Sequence, residues 1–283
     1  MVDWKQETEN LRKQGSSWTE IAEAMQCQFP ELNRQQVLER ARGYIRRTNK
    51  TSKAVGKDKV IGVISDTHFP FCHANYINFL EETFSKYKVT DIVHIGDICD
   101  NHAISRFQTD ANGHSAGREF ELAMKDVEIY TRAFPKVTLI EGNHCTISKR
   151  QVATLGIPQF YLKDNKDLWN LPKGWVTTEQ IEIDNVMYSH GTGCSGKNGA
   201  LDRAINNMQS SVIGHQHSFG GVQYKSNSKQ LIFGLNAGCG VSINAYAFAY
   251  GRYSKNRETL GCGIVLNDAE AYFVPMPNKW FTT

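Results

Sequence analysis

Between Lys59 and Ile140 the chain repeats one pattern. A short apolar run is followed by a residue able to bind a metal, and then by a stretch of helical period. The runs are residues 59–65, 91–95 and 137–140. Helices are expected near 75–88, where Ile77, Leu80 and Phe84 share a face, and near 117–133. A β-α-β-α-β order of this kind calls for parallel strands joined by right-handed crossovers. Ligands of such sheets gather beyond the carboxyl ends of the strands, where Asp66, Asp97 and Asn143 all fall. From about residue 180 the pattern shifts to short strands and hairpins, at 181–188, 211–214, 222–225, 230–235, 262–267 and 270–275. A second, partly antiparallel sheet is therefore expected.

Five strand ends carry chemistry. The first is Val63-Ile64-Ser65-Asp66-Thr67-His68-Phe69-Pro70. In an extended segment residues i and i+2 point to one side, so Asp66 and His68 could grip one ion. His94-Ile95-Gly96-Asp97-Ile98-Cys99-Asp100 ends the second run, and Glu141-Gly142-Asn143-His144 the third. Tyr188-Ser189-His190-Gly191 and Ile213-Gly214-His215-Gln216-His217 end two more. A lone histidine at a strand end has an ordinary structural reading. Five ends bearing Asp, Asn and His in this order point to a shared metal site. His73, His94, His102 and His114 lie outside the pattern and read as structural or solvent-facing, with His102 placed to line the site.

These stretches together resemble the signature of the calcineurin-like metallophosphoesterases: D-x-H, G-D-x-x-D, G-N-H-[DE], a lone H, then G-H-x-H. The resemblance spans residues 59 to about 220. It implies an α/β fold, a four-layer α/β/β/α sandwich, with two divalent metal ions. By the family pattern Asp66, His68, Asp97 and His217 hold one ion. Asp97, Asn143, His190 and His215 hold the other, and Asp97 bridges. His144 is then the group that protonates the leaving oxygen or stabilises transition-state charge, and Asp100 orients it. Mixed His, Asp and Asn ligands suit borderline ions, Mn²⁺ first, with Fe, Zn²⁺ or Mg²⁺ as alternatives. The chain departs from the family at Cys145, where Asp or Glu is usual; a thiol lacks the carboxylate's charge and acceptor pair. Residues Gly96 to Phe107 resemble, more loosely, calcineurin-like proteins of bacteriophages and prophages.

The remaining features bear on partners. Net charge is +3, but residues 1–57 hold 11 Lys/Arg against 7 Asp/Glu, whereas the remainder is close to neutral. The basic surplus thus belongs to an N-terminal piece expected to be helical over 1–50, with a polar linker over 51–58 and the catalytic domain over 59–283. Ser17 and Glu20 form a capping box for its second helix, and Asn33 could cap a third running to Arg47. Three short helices with pairs of arginines, Arg40 with Arg47 and Arg42 with Arg46, resemble a helix-turn-helix module. Packing or oligomerisation is the alternative use of such a bundle. Tyr246, Phe248 and Tyr250, followed by Arg252, Lys255 and Arg257, offer either a strand face or a platform for stacked bases. Gly191 to Asn198 misses a P-loop by one residue, since Asn198 lacks the hydroxyl that would bind Mg²⁺.

Seven scattered cysteines without a C-x-x-C pair argue for free thiols in a reducing cytoplasm, in a bacterial or phage-infected cell. No apolar run approaches the roughly 20 residues that span a bilayer, so no membrane role is expected. The expected activity is hydrolysis of phosphodiesters in nucleic acid by a manganese-type nuclease. A phosphomonoesterase acting on phosphoprotein or nucleotide is the alternative. A DNA-binding adaptor with a vestigial catalytic domain is a third reading, opposed by the full ligand set.

Overall fold

The computed structural model describes residues 4–14, 16–41, 59–106, 113–242 and 257–280. The chain divides into two compact units, Met1–Asp58 and Lys59–Thr283.

In the first unit, α1 (Trp4–Lys13), α2 (Trp18–Met25) and the helix α3 over 34–41 surround Ile21, Ala22, Met25, Val37 and Ala41, all buried. The start of α2 is fixed by a reciprocal pair. Ser17 N–H donates to Glu20 at 2.7 Å, and Glu20 N–H to the Ser17 hydroxyl at 3.3 Å. Asn33 and Gln36 repeat the device for α3, at 2.9 Å in each direction. The guanidinium of Arg40 lies over the rings of Phe29 and Trp4, 4.6 and 5.6 Å from their centroids. Arg40 is thus engaged in packing inside the helical unit. Arg42, Arg46 and Arg47, the linker, and the segment from Tyr246 to 256 lie outside the described residues.

The second unit is built on two sheets. The first runs in the order β11-β10-β1-β2-β3-β4. Its strands are β1 (Ile61–Ile64), β2 (Asp91–His94), β3 (Val137–Ile140), β4 (Trp175–Thr178), β10 (Gly261–Val265) and β11 (Ala271–Pro275). β1 to β4 are parallel; β10 and β11 are antiparallel additions. The second sheet runs β5-β6-β7-β9-β8, with β5 (Gln180–Ile183), β6 (Val186–Ser189), β7 (Ser210–Ile213), β8 (Gly220–Ser226) and β9 (Leu231–Ala237). Here β6, β7 and β9 are parallel.

Burial on both faces explains the continuous apolar runs. Ile61 and Val63 of β1 meet Tyr188, Val212, Phe233 and Leu235 between the sheets. Ile64 faces the other way, onto α4 (Tyr76–Tyr87) and α5 (Ala116–Ala133). In α4 the buried residues Tyr76, Phe79, Leu80, Thr83 and Phe84 recur at helical spacing. After α6 (Ile147–Thr154) and the short α7 (Asn165–Leu168), α8 (Gly199–Asn207) covers the outer face of the second sheet, so close to β9 that a Cβ on Gly234 would sit 2.2 Å from the Leu201 nitrogen. The four layers expected from the sequence are present. Among the strands and hairpins expected from about residue 180, the stretch 181–188 is a hairpin. Asp184 and Asn185, both at positive φ, turn β5 into β6, because this pair tolerates the left-handed region.

Candidate active site

All five motifs lie just beyond the carboxyl ends of parallel strands: β1, β2, β3, β6 and β7. The local backbone differs from the sequence expectation in one respect. Asp66 and His68 are not alternate residues of an extended strand. β1 ends at Ile64, and both have positive φ, 48° and 49°. Their loop runs beside the one after β2: Asp66 N–H donates to Gly96 O (3.1 Å), His68 N–H to Asp97 O (2.9 Å) and Phe69 N–H to Ile98 O (2.9 Å). Asp97 and His215 are also left-handed, at 51° and 66°. Such backbone is costly for residues with a Cβ, and it clusters here where the surroundings over-determine it.

The motif glycines make room. A Cβ on Gly142 would lie 2.1 Å from Asp97 Oδ1, and one on Gly96, itself at φ 109°, would lie 2.5 Å from His190 Nδ1. Only glycine lets these loops approach so closely.

Among the described residues, three groups have potential ligand atoms within 4.8 Å of one another: Asp66, His68 and His217; Asp97, His190 and His215; and His68, Asp100 and His144. The first two each bring together three of the residues expected to share an ion. Asn143 joins the second, its side-chain oxygen 2.7 Å from His190 Nε2. Asp97 stands between them, with Oδ2 3.1 Å from His190 Nε2 and 3.9 Å from His68 Nε2. Asp97 Oδ1 accepts the His144 N–H at 2.7 Å, and Asp66 Oδ2 accepts the His215 N–H at 2.9 Å. Ser65 also donates its hydroxyl to Asp66 Oδ2.

The donor set fits divalent cations. His68 Nδ1 donates to Asp100 Oδ1 (2.5 Å), and His190 Nδ1 donates to Ile95 O (2.9 Å). Each arrangement leaves Nε2 as the coordinating atom, with its orientation fixed from behind. His68 Nε2 then faces His217 Nε2 at 3.2 Å, and His190 Nε2 faces the Asn143 and Asp97 oxygens. Lone pairs at these separations repel unless a proton or a cation lies among them. The carboxylates accordingly favour a positive charge at these nitrogens. Burial alone would depress His68, but hydrogen bonds to Asp100 and Asp66 outweigh it and raise its pKa to about 10. Burial likewise opposes the charged form of His190, but Asp97 prevails and raises it to about 9. Despite burial, Asp66 is held below the usual carboxylate range chiefly by His217 and His68, Asp97 by His190, and Asp100 by His144 and His68.

Asp100 does more than the sequence reading gave it. Its carboxylate makes its shorter contact with His68 and lies 3.3 Å from His144 Nδ1, whereas its backbone carbonyl accepts from that nitrogen at 2.5 Å. Asn101 ties down the same segment by donating to the His144 carbonyl at 3.0 Å. Cys145 is buried behind Asp97. Burial and the Asp97 charge push its thiol up to about 12, so it is neutral and unreactive at ordinary pH. His94 is fully buried, its ring 3.2 Å from the Thr67 hydroxyl, and burial lowers it to about 3. His102 is nearly buried, with Nδ1 4.0 Å from Asp100 Oδ2, so it backs the site rather than facing its opening.

Sequence reasoning missed the walls of the cleft. A cavity of about 300 Å³ opens beside Asn143, His144 and His215, walled by Arg106, Arg150 and Thr192. A second, of about 400 Å³, shares Thr192 and continues past Cys194 and Arg203 toward Asn207. The Gly191–Asn198 stretch is the loop between them, held by Gln216 Nε2 donating to Cys194 O at 2.9 Å. Arg150 stands on α6 (Ile147–Thr154), directly after the G-N-H motif. That position was the available signal, but too few apolar residues mark the helix for its period to show.

The sequence profile of the calcineurin-like phosphoesterases matches residues 59–219, more than half of the chain, and the chain belongs to that family. It carries a metal-dependent phosphoesterase domain of a family that binds two divalent metals. No curated protein sequence matches the chain significantly. Among solved structures it is similar to Vacuolar Protein Sorting 29 from Cryptosporidium parvum, with 11% identity and a TM-score of 0.43, over 78% of this chain and 92% of that one. It is also similar to the phosphoesterase Yfce from E. coli, with 15% identity and a TM-score of 0.39, over 77% of this chain and 98% of that one. No helix among the described residues is long and apolar enough to cross a membrane.

Proposed function

We propose that this phosphoesterase hydrolyses phosphodiester bonds in nucleic acid. The supporting observation is the cleft, with open space on both sides of Thr192, one side of it beside His215. A monoester needs room for one organic group at the reacting phosphorus, and a diester needs room for two. The basic surplus of residues 1–57 adds a means of holding a phosphate backbone without reading sequence. Asp66, His68, Asp97 and His217 would hold one divalent ion, and Asp97, Asn143, His190 and His215 the other. Mn²⁺ is the ion proposed, on the mixed oxygen and nitrogen donors. The ions would supply Lewis-acid polarisation of the phosphoryl oxygens and lower the pKa of an attacking water.

This chain's own residues do the rest. Asp100 fixes the ring orientation of His68, and Ile95 O that of His190. His144, partly exposed, is anchored through Nδ1 and presents Nε2 to the opening, where in its protonated form it can give a proton to the leaving oxygen. The deep burial of Asp66, Asp97 and His68 excludes bulk water from their side of the reaction centre. All seven cysteines are free, which suits the reducing cytoplasm proposed for it, in a bacterial or phage-infected cell. A phage or prophage lineage belongs to the same proposal and rests on the loose likeness of Gly96 to Phe107.

The test compares single-stranded and duplex DNA and RNA with bis-p-nitrophenyl and p-nitrophenyl phosphate, under Mn²⁺ in one buffer. Cleavage of oligonucleotides and of the diester is expected. Turnover of the monoester alone would transfer the reading to a phosphomonoesterase.

A further inference from the structure

The cavity beside His144 differs electrostatically from the metal clusters it adjoins. The clusters hold Asp66 and Asp97, backed by Asp100, whereas the cavity lining includes Arg106 and Arg150 and, among the described residues, no carboxylate. Both arginines are exposed, and neither forms an ion pair among the described residues. Among the described residues the partner of Arg150 is neutral: its guanidinium donates to Asn143 O at 2.8 Å, which leaves its charge uncompensated and donors open. The two come from different elements. Arg106 follows the short turn His102–Ile104, and Arg150 stands on α6. Gln151 joins those elements by donating to Ile104 O at 3.0 Å. Thr192 and Ser105 add hydroxyls to the same wall.

Two guanidinium groups on one cavity, without a neutralising acid, form a site for an oxyanion. The reacting phosphoryl group belongs at the metal clusters, so the anion held here is another one. We propose that Arg106 and Arg150 form a second phosphate subsite, which selects substrates carrying a further phosphoryl group next to the one attacked. The inference deepens the phosphodiesterase reading and rests on the same site. A neighbouring phosphate of a polynucleotide strand and the second phosphate of a nucleoside bisphosphate share this chemistry.

The experiment uses the full chain loaded with Mn²⁺ and two substrate pairs. One pair is thymidine 3′,5′-bisphosphate against thymidine 5′-monophosphate. The other is the dithymidine diester with and without a 5′-terminal phosphate, extended by an eight-residue oligothymidylate. Within whichever pair is hydrolysed, the two-phosphate member is expected to be favoured, mainly through KM. Arg106→Ala and Arg150→Ala should each reduce that preference by about tenfold, the scale of one charged hydrogen bond. Lys229→Ala, the same charge change in the exposed turn between β8 and β9, should leave it alone. Metal content is measured for every variant, because Arg150 also touches Asn143; if Arg150→Ala loses metal, Arg106→Ala carries the test. An equal preference in the native enzyme and in Arg106→Ala overturns the subsite. Turnover of the monoester pair alone, with the arginine-dependent preference intact, removes the nuclease reading and leaves the subsite standing. Preference for the bisphosphate assigns the subsite to nucleotides, and preference for the longer strand assigns it to polynucleotides.

Discussion

His144 is held at one ring nitrogen and open at the other, which is the condition for a group that moves a proton without holding a metal. His144→Ala should therefore keep its metal and lose about 10²–10⁴-fold in kcat, the usual range for acid–base groups. Loss of metal in elemental analysis of the variant would make His144 a ligand instead. Cys145 stands where the family usually has a carboxylate. The peptide groups of Gly142, Ile98 and Asp97 favour a negative charge there, against burial and the Asp97 carboxylate. Burial and Asp97 prevail over those peptide groups, but the family usually carries a carboxylate here and Asp100 is retained, so Cys145→Asp should fold and change kcat only a few-fold; a dead but folded, metal-replete variant would show a role for the thiol itself. His94 gives a pH signature. Its folded pKa is about 3, against about 6.5 for an unfolded histidine. Below about pH 6.5 the unfolded chain takes up a proton that the folded chain refuses. Stability is therefore lost as pH falls toward 3, by up to about 1.4 kcal/mol per pH unit. Urea midpoints between pH 7 and 5 should fall more steeply for the native chain than for His94→Asn, and parallel curves would refute this.

At the scale of elements, the site depends on loops that only glycine can bring together. Gly142→Ala would drive a methyl group into Asp97 Oδ1, so it should abolish metal binding while the far-UV circular dichroism stays native. Full metal occupancy would show that the loop can yield. The strands ending in candidate ligands were legible because each carries two or more large apolar residues and is closed by a distinctive motif. β4, Trp175–Thr178, was not legible. It is an edge strand with Val176 exposed, anchored by Trp175 Nε1 donating to Phe134 O at 2.8 Å, a contact 41 residues away. Helix α8 escaped notice because its inward face is Gly199, Ala200 and Ala204, small residues that carry little hydrophobic period but let the helix lie close on β9. The candidate ligands were legible through the resemblance of five motifs to the family signature, yet how Asp66 and His68 reach the site was not. Their left-handed backbone is imposed by hydrogen bonds to Gly96 and Asp97, some thirty positions on in the chain.

On the scale of the whole molecule, the chain divides into two compact units. A chain starting at Lys59 contains both sheets and every candidate ligand, so it should keep its metal and its activity on small esters, while binding of nucleic acid at low salt weakens. Insolubility or metal loss would contradict that independence. The central claim is that the five strand ends build one dinuclear centre bridged by Asp97. Calorimetric titration with Mn²⁺ of the metal-stripped protein, checked by elemental analysis, tests it most directly against Asp97→Asn. The native chain should bind two ions, and Asp97→Asn should bind at most one. A native stoichiometry of one, or two ions retained in Asp97→Asn, would contradict the account.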